Sequence, residues 1–248
     1  MEKLIKKLQG HSGSDISLMQ DDHGMFVRKI KNVQRNHERL LSLDNTLSVP
    51  KVLRYQDETL DMEYVHGLDM IQFLLYNDSD KLTEFLVESL RDLSFSSEMK
   101  DYTETYHKKL DVINWSTEIP FTKEELISRL PKMLPKTNYL GDMTLENVLF
   151  DEVNQRFVFI DPITSEYDSF VFDIAKLNQD IICKWFLRKS SVKLDTVLLT
   201  VKNGIDREFA TYSKDINLVI LMLLRVLPYC TTEQDRTFIH KEIYKLWL

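Results

Sequence analysis

The N-terminal part of the chain alternates apolar and polar residues with a period of two. Leu4 to Leu8, Ile16 to Met19 and Met25 to Lys31 each read as a strand. They are separated by Gly10-His11-Ser12-Gly13-Ser14 and by the tight turn Asp21-Asp22-His23-Gly24, which predicts an antiparallel meander. In the third strand, alternation sends Val27 and Lys29 to one face and Phe26, Arg28 and Ile30 to the other. Val33, His37, Leu40 and Leu41 then fall on a helical stripe with Glu38 beside it, before Pro50 and a second hairpin, VLRYQ and TLDMEYV.

At Gly67 the period changes from two to 3.6. MIQFLLY and Asp80 to Phe95 read as helices, and Thr122 with Glu125 forms a capping-box pattern opening a helix that stops near Pro131. Glu98 to Pro120 is weakly periodic and reads either as a helix pair with an irregular link or as a substrate-facing insertion. Tyr139 to Ile163, YLGDMTLENVLFDEVNQRFVFIDPI, reads as loop, short strand, polar turn and second strand. Ser169 to Phe186, Asp215 to Leu227 and Glu233 to Trp247 read as helices, the last two dense enough in apolar residues to be buried. Strands followed by helices predict an α+β fold, divided into an N-terminal lobe over 1–66 and a helical C-terminal lobe over 67–248.

Composition narrows the class. The 248 residues can bury a substantial core, and 43% hydrophobic with 29% charged residues suits an ordered globular chain. A formal charge of -7 argues against general nucleic-acid binding, which needs a basic surface for phosphates. Cys183 and Cys230 lie in apolar segments without zinc-ligand spacing, which fits a reducing, cytoplasmic setting. The longest apolar stretch, Leu218 to Leu224, falls short of the ~20 residues that span a bilayer. HExxH, GxSxG and GxxxxGK[ST] are absent.

The candidate chemistry lies in Tyr139 to Ile163. Phosphoryl transfer needs a carboxylate to orient the acceptor hydroxyl, hard oxygen ligands for Mg²⁺ and positive charge on the nucleotide phosphates. Asp142 is placed to accept the hydroxyl proton, Asn147 to offer an amide oxygen to the metal, and Asp161 ends an apolar strand that would aim its carboxylate into a cleft. Taken singly, each also reads as a turn or cap residue. Upstream, Lys29 could reach a phosphate from the sheet, Glu38 is the glutamate available to pair with it, and the glycine segment could bring backbone N–H groups to a phosphate or form an ordinary turn.

G-D-x-x-x-x-N followed by two apolar strands and I-D-P resembles the Brenner-type motif of the aminoglycoside phosphotransferase and choline kinase group, within the wider protein-kinase-like fold. The resemblance runs from about Leu4 to Leu177 and implies a two-lobed kinase-like architecture with an antiparallel β lobe and a mainly helical lobe. It puts Asp142 at the catalytic base, Asn147 and Asp161 at the metal ligands, and Asp173 of FDIAKL at a buried helix aspartate. Lys29 resembles the phosphate-pairing lysine and Glu38 its helix partner. Gly10, Ser12, Gly13 and Ser14 resemble the nucleotide loop, and Met62 to Val65, with Glu63, Tyr64 and Val65, the adenine hinge.

The implied activity is ATP- and Mg²⁺-dependent transfer of the γ-phosphate to a hydroxyl of a sugar, aminoglycoside or amino alcohol. The wording of the motif is most similar to bacterial phosphotransferases associated with surface polysaccharides. Two departures stand out. Leu140 occupies the place of the family's loop-supporting histidine, and Glu38 follows Lys29 by only nine residues. The Leu140 departure also admits an inactive nucleotide- or partner-binding protein, and the fold admits nucleotidyl transfer. The lack of H-R-D and A-P-E counts against a eukaryotic-type protein kinase.

Overall fold

The computed structural model describes residues 2–8, 14–96, 98–115 and 118–248. They divide into two compact units. The first holds Met1–Phe73, Leu140–Asp142 and Glu146–Ser165, and the second Leu74–Tyr139, Met143–Leu145 and Glu166–Leu248.

The first unit carries an antiparallel sheet built from β1 (Lys3–Leu8), β2 (Asp15–Asp21), β3 (Gly24–Ile30), β4 (Val52–Gln56) and β5 (Thr59–Glu63), in the order β1-β2-β3-β5-β4. Register puts Lys29 opposite Leu60 and Val27 opposite Met62, while Arg28 and Arg54 both flank Asp61. Because side chains alternate, Lys29 shares a face with the apolar Leu60 and Met62, and Arg28 points the other way.

Helix α1 (Gln34–Leu43) buries Val33 at its start, then Asn36, Arg39, Leu40 and Leu43, a stripe at the spacing of one helical face. His37 stacks on Tyr55 of β4 with ring centroids 3.8 Å apart. A second sheet joins β6 (Gly67–Asp69), β9 (Val148–Asp151) and β10 (Arg156–Phe159) in the order β10-β9-β6. The β9–β10 turn is set by Asp151, whose Oδ1 accepts the N–H groups of Val153 and Asn154 at 3.1 Å each.

The second unit is helical apart from the pair β7 (Met99–Asp101) and β8 (Met133–Pro135). Its helices are the end of α2 (Met70–Tyr76), α3 (Ser79–Leu93), α4 (Thr103–Asp111), α5 (Lys123–Arg129), α6 (Phe170–Cys183), α7 (Asp195–Ser213), α8 (Ile216–Val226) and α9 (Glu233–Trp247). The capping box forms as the sequence predicts: Glu125 N–H donates to Thr122 Oγ1 at 3.2 Å, and Thr122 N–H to Glu125 Oε2 at 2.7 Å. Between Phe170 and Cys183 only Ile182 is not buried, so α6 is the core helix, opened by Ser169 Oγ accepting the Val171 N–H at 3.3 Å.

Helix α7 is not among the elements the sequence pattern predicts. Its segment mixes β-branched residues with Gly204, which weakens the helical signal. The glycine has a packing reason, since a Cβ there would lie 2.1 Å from Thr83 Cγ2 of α3. The structure therefore needs Gly204 for a close helix–helix approach, at the cost of legibility.

Tyr102 and Tyr106 belong to an aromatic core with Tyr167 and Phe172, all nearly inaccessible. Within Glu98 to Pro120 the described residues form β7 and α4, so helix and strand share a stretch for which the sequence offered a helix pair or an insertion.

Candidate active site

The motif residues Asp142, Asn147 and Asp161 fall in the first unit together with Lys29. Loop geometry before Asp142 depends on Gly141, which has φ +97 and sits where a Cβ would lie 1.9 Å from Ile163 O. Only glycine fits both constraints. The Ile163 N–H donates to Leu140 O at 3.1 Å, tying this loop to the segment that follows Asp161. Leu140 itself is fully buried, so this position is an apolar anchor with a backbone link.

Beyond Asp142, the Asn147 amide folds back. Its Nδ2 donates to Asp142 O at 3.0 Å and to Asp142 Oδ2 at 3.1 Å, five residues away. That fixes the asparagine with its amide oxygen turned from Asp142, the oxygen a cation would use. The Ile160 N–H donates to Asn147 O at 2.9 Å, extending the β9–β10 ladder and setting Asn147 one residue from register with Asp161. In the second unit, buried Asp180 of α6 accepts the Leu145 N–H through Oδ2 at 2.7 Å, anchoring the middle of the same loop. Asp173, with Lys176, is buried on that helix.

Lys29 is nearly inaccessible, and its Nζ donates to Asp161 Oδ1 at 2.6 Å across 132 positions of sequence. Asn36 Nδ2 donates to the same Oδ1 at 2.6 Å and to Pro162 O at 2.9 Å. Asp161 keeps its second oxygen without a hydrogen bond among the described residues, and about a third of its side chain stays exposed, at 34%. One aspartate oxygen and one amide oxygen are hard donors. Such a pair suits Mg²⁺, which takes one or two protein ligands and completes its shell with phosphates and water. No cluster of three or more His, Cys, Asp or Glu that could hold a metal occurs among the described residues.

The predicted Lys29–Glu38 pair is corrected by the structure. Glu38 is exposed and accepts from Gln34 Nε2 at 2.8 Å, one turn back on its own helix. The inward stripe of α1 runs through Val33, Asn36, Leu40 and Leu43, and two residues further on a helix is about 200° around it, so Glu38 faces away. The sequence pattern phases that stripe through His37 and Leu41, which leaves out Asn36, a polar residue buried on the same face as Arg39, Leu40 and Leu43.

Of the expected nucleotide loop, Gly10, Ser12 and Gly13 lie outside the described residues; Ser14 donates through Oγ to Lys31 O at 2.8 Å. In the expected hinge, Glu63 ends β5 and is cross-linked. Its Oε1 accepts from Arg156 Nη2 at 2.9 Å and its Oε2 from the Lys51 N–H at 3.2 Å. Tyr64 meets His66 edge-on at 6.1 Å, and Val65 is buried. The side chain of Glu63 thus braces the segment, and sequence reasoning did not foresee Arg156 as its partner.

The sequence matches no protein-family model and no curated protein. Solved structures do match over the whole chain. A ternary complex of a thermostable aminoglycoside phosphotransferase APH(4)-Ia variant with AMP-PNP and hygromycin B has a TM-score of 0.69 at 13% identity, covering 98% of this chain and 92% of that one. A fructosamine-3-kinase from Haemophilus somnus 129PT gives 0.65 at 14%, covering 100% and 92%. Choline kinase from Streptococcus pneumoniae gives 0.63 at 13%, covering 99% and 92%. The chain therefore has the protein-kinase-like fold of the small-molecule kinases, with an antiparallel sheet in its N-terminal part and helices in its C-terminal part. No helix among the described residues is long and apolar enough to cross a membrane.

Proposed function

We propose that the protein is an ATP- and Mg²⁺-dependent phosphotransferase that moves the γ-phosphate to a hydroxyl of a small molecule of the sugar, aminoglycoside or amino alcohol class. In this reading 1–66 is the nucleotide lobe, 67–248 the catalytic and substrate lobe, and the setting is cytoplasmic. The observation that carries it is the convergence of Lys29 and Asp161, with Asn147 bonded to Asp142 beside them.

Asp142 acts as the base that orients the acceptor hydroxyl and takes its proton, at the carboxylate that Asn147 Nδ2 steadies. Asn147 and Asp161 offer oxygens to the metal, and Lys29 places positive charge for the nucleotide phosphates. Ser14 with Gly10, Ser12 and Gly13 lines the phosphate loop, and Glu63, Tyr64 and Val65 form the adenine hinge. When bound, Mg²⁺·ATP supplies the transferable phosphoryl group and the charge that offsets its developing negative charge. Structures of the same fold hold AMP-PNP or ADP with hygromycin B, which supports nucleotide binding and a small-molecule acceptor here.

Incubation with ATP labelled at the γ- or α-phosphate, Mg²⁺ and a panel of sugars, aminoglycosides and amino alcohols tests the reading. Acceptor-dependent γ transfer that disappears in Asp142→Ala supports it. Transfer of the α label instead identifies a nucleotidyl transferase, and binding without any transfer an inactive kinase-fold protein.

A further inference from the structure

The first turn of α1 grips the segment that carries Asp161 at several points. Arg35 O accepts the Thr164 N–H at 3.2 Å, Arg35 Nε donates to Thr164 O at 2.9 Å, and Asn36 Nδ2 reaches both Asp161 Oδ1 and Pro162 O. Asn36 is 96% buried, at 4% exposure, on the face of α1 that also buries Val33, Arg39, Leu40 and Leu43. A buried amide costs free energy unless its hydrogens are used, and here both go to the segment of the proposed metal ligand.

Charge adds a second argument. Lys29 is nearly buried and its one ionic partner among the described residues is Asp161; the glutamate of α1 points to solvent. An uncharged donor on the inward face of α1 does not compete for Lys29. It shares the lysine's acceptor oxygen, so two N–H donors fix Oδ1 and leave Oδ2 directed elsewhere.

We propose that Asn36 is a positioning residue for the nucleotide–metal site: by holding Asp161 Oδ1 and Pro162 O it sets the carboxylate so that Oδ2 is presented to the metal. It takes the inward place on α1 at which the sequence leads one to expect a lysine-pairing glutamate. The proposal rests on the reading of Asp161 as a metal ligand. Asn36 acts through Asp161 and the backbone of Pro162.

The test is the affinity for a fluorescent ADP analogue with and without Mg²⁺, in the full chain, for wild type, Asn36→Ala and Asp161→Ala. Loss of a partner that orients a metal ligand typically weakens metal affinity about 10–100-fold. Asn36→Ala is therefore expected to shrink the Mg²⁺-dependent gain in nucleotide affinity by about tenfold or more while metal-free affinity stays within about twofold of wild type. A purely structural role would lower both affinities together, and that result, or an unchanged Mg²⁺-dependent gain, overturns the proposal. If Asp161→Ala abolishes the gain and Asn36→Ala does not, Asn36 alone is misassigned; if Asp161→Ala keeps the gain, the metal reading itself fails. Should Asn36→Ala not fold, Asn36→Ser carries the same comparison with a smaller donor that cannot span both acceptors.

Discussion

Arg28 and Lys29 are neighbours on β3, face opposite ways, and each meets an aspartate, yet the two sites are built differently. On Arg28's face Asp61 is saturated. Its oxygens take Arg28 Nε at 2.7 Å and Nη2 at 2.9 Å, and Arg54 Nε at 2.9 Å and Nη2 at 2.6 Å, while Glu2 closes the outer side against both arginines. Only 4% of the Asp61 side chain is exposed. On Lys29's face, Asp161 has both donors on one oxygen, a second oxygen that takes no hydrogen bond among the described residues, and an accessible edge. A structural ion cluster fills its lone pairs; the proposed metal site leaves some open.

The largest effect that would sharpen this contrast is on the open side. Asp142→Ala should lower acceptor phosphorylation by about 10²–10⁴-fold, read as the γ-transfer rate, with unfolding by denaturant little changed. A variant with full transfer would remove the open site from the chemistry altogether.

Next comes the saturated side. Asp61→Ala leaves Arg28 largely buried with its main partner gone, so we expect a loss of about 3 kcal/mol in unfolding free energy by urea titration. The protein that remains folded should keep its transfer rate per active molecule. Coupled losses of rate and stability would mean that the two faces are one system.

Acid provides a third, smaller separation. Burial pushes the Asp61 carboxyl up, but the hydrogen bonds from Arg28 and Arg54 together outweigh it and hold it below the ordinary carboxylate range. A carboxyl whose folded pKa lies below its unfolded value stabilises the fold above the unfolded pKa, and that stability drains away as pH falls through the folded one. Stability should therefore drop from about pH 4 downwards, and the drop should be shallower in Asp61→Asn, measured by thermal melts across pH.

The smallest effect belongs to Glu38, exposed and, among the described residues, bonded within its own helix. Glu38→Ala should change stability by no more than about 0.5 kcal/mol. Nucleotide affinity should also stay at the wild-type value, and a clear loss there would reinstate the glutamate as the lysine's partner.

The legible parts of the site were those encoded within one short stretch. Asp142, Asn147 and Asp161 stand at fixed spacings around a strand pair, and the intervening apolar alternation reveals the hairpin that carries them. Less legible was anything decided by helix phase. Shifting the α1 stripe from His37 and Leu41 to Asn36 and Leu43 exchanges an inward glutamate for an inward asparagine, and amphipathic spacing alone tolerates either choice. Helix α7 stayed hidden for a different reason, because Gly204 lowers helical propensity where close packing requires it.

By itself, then, the sequence determined the α+β order of elements, the kinase-like motif and the identity of the three polar residues within it, since local periodicity and spacing are properties of neighbouring positions. Only the tertiary structure decided the partners. That Lys29 meets Asp161 rather than Glu38, that Asn36 shares the same oxygen, and that Leu140 is buried and tied through its carbonyl to the Ile163 N–H are outcomes of packing between residues as many as 132 positions apart. Contacts over such separations leave no periodic trace in a single chain, because each is fixed by burial and donor geometry on two elements at once.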